Sequence, residues 1–160
     1  MTKFWMAAAA AALGTAMTAT PAMSKDSHSG TWVSNEAKSY WSDGKFPKGF
    51  KLTIEMKFEP NKLVYHAVNT TRPGVPPYIN DFVATLDDGI SPMDNPRFNE
   101  IRIKPLDADT LQVLEQKNGD VIVGQYWRFA KDGKSLVRWG IGKAPDGKSK
   151  AFLEWFDRVK

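Results

Sequence analysis

The chain has no cysteine and only two histidines among its 160 residues. Without cysteine there can be no disulfide framework, thiol nucleophile, thiolate metal site or cysteine lipid anchor, so stability has to come from packing. Two histidines and scattered carboxylates give no ligand spacing of the kind zinc or copper sites show, and no metal or cofactor is expected. Long apolar runs are also missing: the apolar run near the N-terminus is too short to span a bilayer, and no later one is long enough. No serine sits in a nucleophile elbow, because Gly89-Ile90-Ser91-Pro92 lacks the trailing glycine.

One phosphate-binding pattern is matched formally, from Gly142 through Gly147-Lys148-Ser149. It lacks the necessary context. A P-loop opens a helix, whereas here an aromatic, strand-like run follows, and Pro145-Asp146 is turn chemistry with a carboxylate where phosphate would sit. A sequence pI of 9.2 points toward acidic partners, yet Lys and Arg alternate with Asp and Glu along the chain. That is a mixed-sign surface rather than a clustered basic face, and no nucleic-acid partner is expected.

The N-terminus reads as an export signal. Lys3 supplies a short positive start, residues 4–13 form an alanine-rich apolar core, and Thr20-Pro21-Ala22 or Ala22-Met23-Ser24 offers small residues for cleavage. The expectation is a signal peptide over 1–24, a domain over 25–160, and a periplasmic or secreted product without a transmembrane segment. Residues 24–30 read as a flexible leader, which makes His66 the one histidine of the expected fold.

The most regular feature of the domain is a set of three turn dipeptides, Asn118-Gly119, Asp132-Gly133 and Asp146-Gly147, each 14 residues after the last. Residues 121–129, 136–141 and 151–159 lie between and after them and are rich in β-branched and aromatic residues, as strands joined by tight reversals are. Earlier, residues 52–58 alternate apolar with polar, Pro60-Asn61 turns the chain, and residues 63–70 return. Prolines 73, 76 and 77 exclude residues 72–77 from a sheet interior. With residues 31–34, 78–86, 101–104 and 111–114 there are nine candidate strands and no strongly periodic helix. Residues 38–50 and 87–96 read as irregular. The fold class is all-β, an up-and-down antiparallel barrel of eight to nine strands.

Face assignment depends on loop length. A three-residue loop at 131–133, with Gly133 left-handed, pairs Ala130 with Lys134. Val123, Trp127, Phe129, Val137, Trp139 and Ile141 then share the inner face, and Tyr126, Arg128, Leu136 and Arg138 the outer. Two-residue pairing instead puts Trp127 opposite Arg138 and scatters apolar residues over both faces, so the three-residue loop is expected. Gln125 would be an isolated polar group on the inner face and would need a partner. At Pro60-Asn61 both registers stay open: one turns Tyr65 and Ala67 inward, the other Val64, His66 and Val68.

Gly30-Thr31-Trp32, followed by Ser34-Asn35-Glu36-Ala37-Lys38-Ser39, resembles the start of a family of small exported bacterial lipocalin-like proteins. The resemblance continues in Asp88-Gly89-Ile90-Ser91-Pro92, in Lys131-Asp132-Gly133-Lys134-Ser135-Leu136 and in Phe156-Asp157-Arg158, and covers nearly all of residues 30–160. It implies a calycin-type barrel closed at one end, where Trp32 is a structural plug packed against a basic residue, for which Arg158 is the match. The chain departs from the pattern in its proline-rich 72–77 segment and its six tryptophans, which bear on pocket shape.

The leading functional expectation is binding of a small hydrophobic or aromatic molecule by Tyr65 or His66, Phe82, Gln125, Trp127, Trp139 and Trp155. Two other readings stand beside it. One is an isomerase, cyclase or hydratase on the same barrel, with His66 or Tyr65 as acid-base group; the other is a surface-acting accessory protein with a solid interior. Neither ligand identity nor oligomeric state is legible.

Overall fold

The computed structural model describes residues 27–160; the expected export signal over 1–24 lies outside the described residues. Ten strands make one antiparallel sheet: β1 (Gly30–Trp41), β2 (Leu52–Glu59), β3 (Lys62–Asn69), β4 (Tyr78–Thr85), β5 (Ile90–Pro92), β6 (Glu100–Pro105), β7 (Thr110–Lys117), β8 (Asp120–Phe129), β9 (Ser135–Lys143) and β10 (Ser149–Arg158). Their order is β4-β3-β2-β1-β10-β9-β8-β7-β6-β5, and no helix occurs among the described residues. The expected eight to nine strands become ten because residues 87–96, read as a loop, contain the short β5. β1 also continues to Trp41, into a stretch expected to be irregular.

Turn chemistry explains the tight reversals. Asn118 and Gly119 both have positive φ, 51° and 80°, the twist-matched type I′ hairpin that Asn-Gly favours. At Pro60-Asn61, Asn61 has φ 63° after a proline, the pattern of a type II turn, and Glu59 pairs with Lys62 across it. This settles the open register. Tyr65 faces inward opposite Met56, and His66 faces outward opposite Glu55.

The sheet curls until β4 and β5 meet, without a ladder between them. Thr85 donates its N–H to Ser91 Oγ (3.1 Å) across the seam, and Asn95 Nδ2 donates to Tyr78 Oη (2.6 Å) and Asn80 Oδ1 (2.9 Å). The result is a nearly closed barrel.

Gly133 adopts φ 67°, as a left-handed loop residue should, but the loop is one residue longer than expected. Ala130 donates to the Ser135 carbonyl, Phe129 pairs with Leu136, and Trp127 lies opposite Arg138. The expected inner face of β9 is therefore corrected: Leu136 and Arg138 point inward, while Val137, Trp139 and Ile141 point outward. The expectation placed arginine outside because the three-residue loop gathered the large apolar residues on one face. Here Glu154 on β10 pairs with Arg138. The apolar outer residues are partly covered by one another, Trp139 stacking on Tyr126 at 5.6 Å.

One end of the barrel is packed solid. Trp32 is fully buried, Arg158 lies over its ring at 5.4 Å, and Phe129 meets its edge at 5.4 Å. The Arg158 guanidinium also donates to the carbonyls of Ser27, Ser29 and Gly133, while its Nε donates to that of Lys160. Gly30 is needed at this crowded point: with φ 148°, a Cβ there would come within 2.2 Å of the Lys160 carbonyl. The described part of the expected leader, residues 27–30, belongs to this end. His28 is 2% exposed, stacks on Phe129 at 4.2 Å and bonds the Ala108 carbonyl at 3.0 Å, so His66 is not the fold's one histidine.

Trp32→Ala should leave a cavity that the surrounding strands cannot collapse, lowering stability by about 3–5 kcal/mol in urea unfolding. Unchanged stability would contradict the plug assignment.

Candidate functional site

Residue layers change character along the barrel. At the closed end Phe129, Leu136 and Phe156 form an apolar layer. One step up, the same strands present Trp127, Arg138 and Glu154; a further step presents Gln125, Gly140 and Phe152. Small residues now replace large ones, with Gly142 on β9 and Ala67 on β3, and the interior opens; Gly140 instead lets β8 approach closely, since a Cβ there would come within 2.1 Å of the Gly124 carbonyl. A cavity of about 420 Å³ occupies this half, with Leu52, Tyr65, Ala67, Phe98 and Phe152 among its walls. Its mouth continues into a larger depression of about 780 Å³ rimmed by Pro47, Phe50, Arg72 and Pro73. The proline-rich segment thus helps shape the entrance.

Polar groups converge on the cavity. Arg138 donates through Nη2 to Glu154 Oε2 at 2.5 Å and through Nη1 to Tyr65 Oη at 3.2 Å, and it lies 4.8 Å from the Phe156 ring centroid. Burial works against the Arg138 charge, but Glu154 and Tyr65 outweigh it and hold the guanidinium pKa above its ordinary value. Tyr65 is pushed up to about 12, chiefly by burial, and so stays neutral. Glu115 on β7 is pushed up to about 7, again by burial, with Arg138 and Arg97 opposing and Glu154 reinforcing the shift. At the mouth Arg97 donates to the Lys143 carbonyl (2.7 Å), and Lys150 lies 3.9 Å from the Trp41 ring centroid while bonding Asp43 at 3.1 Å.

The candidate ligand contacts divide into three groups. Tyr65 and Gln125 line the cavity. Phe82 and Trp127 are interior but stand behind Tyr65, with ring centroids 4.5 Å and 5.4 Å from it. His66, Trp139 and Trp155 are on the outer face, a correction for all three. His66 bonds Asp81 at 2.6 Å, Trp139 covers Tyr126, and Trp155 donates to Asp157 and carries Lys38 over its ring. Strand alternation decides this, since each has an inward-pointing neighbour: Tyr65, Arg138 and Glu154. His66 consequently has no access to the cavity as an acid-base group. The formal phosphate-loop match forms the end of β9, its turn and the start of β10.

Sequence reasoning missed Arg138, Glu154 and Glu115. Their signal was cross-strand: Arg138 and Glu154 fall opposite each other once the turn at 146–147 is folded.

No protein-family model and no curated protein matches this chain. Among solved structures it is similar to the zebrafish ileal bile acid-binding protein complexed with cholic acid, with TM-score 0.51 and 11% sequence identity over 84% of this chain and 100% of that one. The fold is a calycin-type β-barrel.

Two variants probe the polar cluster. Arg138→Met leaves Glu154 buried without its countercharge and should cost about 3–5 kcal/mol in denaturant unfolding, while Arg138→Met combined with Glu154→Leu should recover most of it. Glu115 binds its proton more tightly folded than unfolded, so it opposes folding increasingly as pH rises from its unfolded pKa to about 7. Glu115→Gln should therefore gain stability relative to wild type by on the order of 2 kcal/mol between about pH 5 and pH 8. A pH-independent difference in urea midpoints would contradict the assignment.

Proposed function

We propose that this protein is an exported carrier that binds a small, largely hydrophobic molecule inside the open half of its barrel. The supporting observation is the cavity itself: an apolar wall, a few buried polar groups to orient a guest, and an entrance between loops, the features of a ligand site rather than a packed core. The zebrafish neighbour, complexed with a bile acid, is a barrel of this kind that takes a small molecule. Burying about 200 Å² of apolar ligand surface contributes on the order of 5 kcal/mol before association costs are subtracted. Export rests on the N-terminal sequence pattern alone.

Native mass spectrometry of protein purified from its own host without detergent tests both parts. A stoichiometric small molecule, lost on denaturation, supports the carrier reading, and the intact mass reports whether residues 1–24 have been removed. The cavity can be tested separately. A Cβ at Gly142 would meet only ordinary contacts, 3.5 Å from Val123 and 4.0 Å from Phe152, so Gly142→Leu should fold and fill the mouth. Binding of the neutral fluorophore N-phenyl-1-naphthylamine should weaken about tenfold or more, the loss of about 1.4 kcal/mol or more. An unchanged affinity would place the fluorophore elsewhere.

A further inference from the structure

Resting on the carrier reading, the charge arrangement in the cavity identifies the polar end of the guest. Arg138, the buried cation, is already engaged by Glu154 and by the Tyr65 hydroxyl. At the mouth Lys150 is paired with Asp43, while Arg97, exposed there, donates to the neutral Lys143 carbonyl and has no carboxylate partner among the described residues. Glu115 is different: its carboxyl lines the cavity, and its side chain makes no hydrogen bond or ion pair among the described residues. Gln125, 4% exposed and also lining the cavity, makes no side-chain hydrogen bond among them either. A half-buried carboxyl and a buried carboxamide facing the same space leave acceptor oxygens to be satisfied from within it. Two unpartnered donors, Arg138 Nε and Trp127 Nε1, are fully enclosed and do not meet a guest.

We propose that the cavity is built for a lipophilic amine, its ammonium group held by the Glu115 carboxylate and the Gln125 carbonyl, and that it disfavours carboxylates. A carboxylate reaching the depth of this space would find Arg138 occupied by Glu154 and would face Glu115, with Arg97 left behind at the exposed mouth. An ammonium would provide the missing countercharge and three donors. Burial of Glu115 makes this selection pH-dependent, since the empty site holds its proton up to about pH 7 and must release it to bind a cation. The groups that face Glu115 are Arg138, Arg97, Glu154 and Tyr65. His66 is on the outer face and His28 is in the closed end, so neither contributes at the cavity.

Three matched probes, n-decylamine, n-decanol and n-decanoate, measured by isothermal titration calorimetry between about pH 5.5 and pH 8, test the assignment. The amine should bind about tenfold or more tightly than the carboxylate at the upper pH, and its affinity should rise about tenfold across the range while that of the alcohol stays flat. Glu115→Gln should abolish that rise and bring the amine-to-alcohol ratio close to unity. The wild-type pH profile reads the same interaction should the variant fold poorly. A carboxylate that binds best, or an amine whose affinity ignores pH, overturns the amine assignment and leaves the carrier reading standing. If wild type binds none of the three and its native mass is that of the bare protein, both fail.

Discussion

An arginine, which cannot shed its charge as a carboxyl can, points into a small β-barrel only with a countercharge beside it, and the Arg138–Glu154 pair is the constraint on which the upper half of this structure depends. The pair crosses from β9 to β10, so it aligns the two strands, while Arg138 opposite Trp127 fixes β8 against β9. Slipping either pairing by one residue would turn a buried charge to solvent and leave the other alone in the interior. Replacing such pairs by hydrophobic residues is often neutral for stability. Its presence here is better understood through what it enforces, one register and a polar layer midway along the barrel.

That layer separates two regions with different work. Below it, Trp32, His28, Phe58 and Phe129 pack ring against ring, and Arg158 ties the two chain ends of the domain over them. Above it, glycine and alanine on the inner face of β9 and β3 trade packing for space, and the proline-rich loop edges the entrance where a regular strand would have narrowed it. The solid end supplies rigidity so that the open end can remain empty enough to receive a guest.

The electrostatics of the open end are unlike those of a simple greasy pocket. Its deepest cation is neutralised in place, which leaves the Glu115 carboxyl as the unpaired acidic group of the interior, with Arg97 at the mouth. The neutral Tyr65 hydroxyl and the Gln125 carboxamide can each donate and accept, whereas Glu115, once ionised, only accepts. The same burial that raises the Glu115 pKa would strengthen any ion pair it forms, because little water remains to screen it.

Much of the architecture was legible along the chain. Evenly spaced Asn-Gly and Asp-Gly turns, alternating strands and the Gly30-Thr31-Trp32 start led to an antiparallel barrel with a plugged end, and Pro60-Asn61 admitted the register that occurs. These signals are local: a turn residue needs left-handed φ wherever it sits, and alternation is a property of the strand itself. Which face of β9 turns inward was decided only by tertiary structure. Counting apolar residues on each face assigned Trp139 inside and Arg138 outside, because no count along one hairpin includes Glu154 waiting on the next strand. His66 and Trp155 were misplaced as ligand contacts for the same kind of reason, since the side a residue takes is set by its register with a neighbouring strand. The sequence by itself determined the elements and their order; the pairing of distant charges determined which side chains surround the cavity.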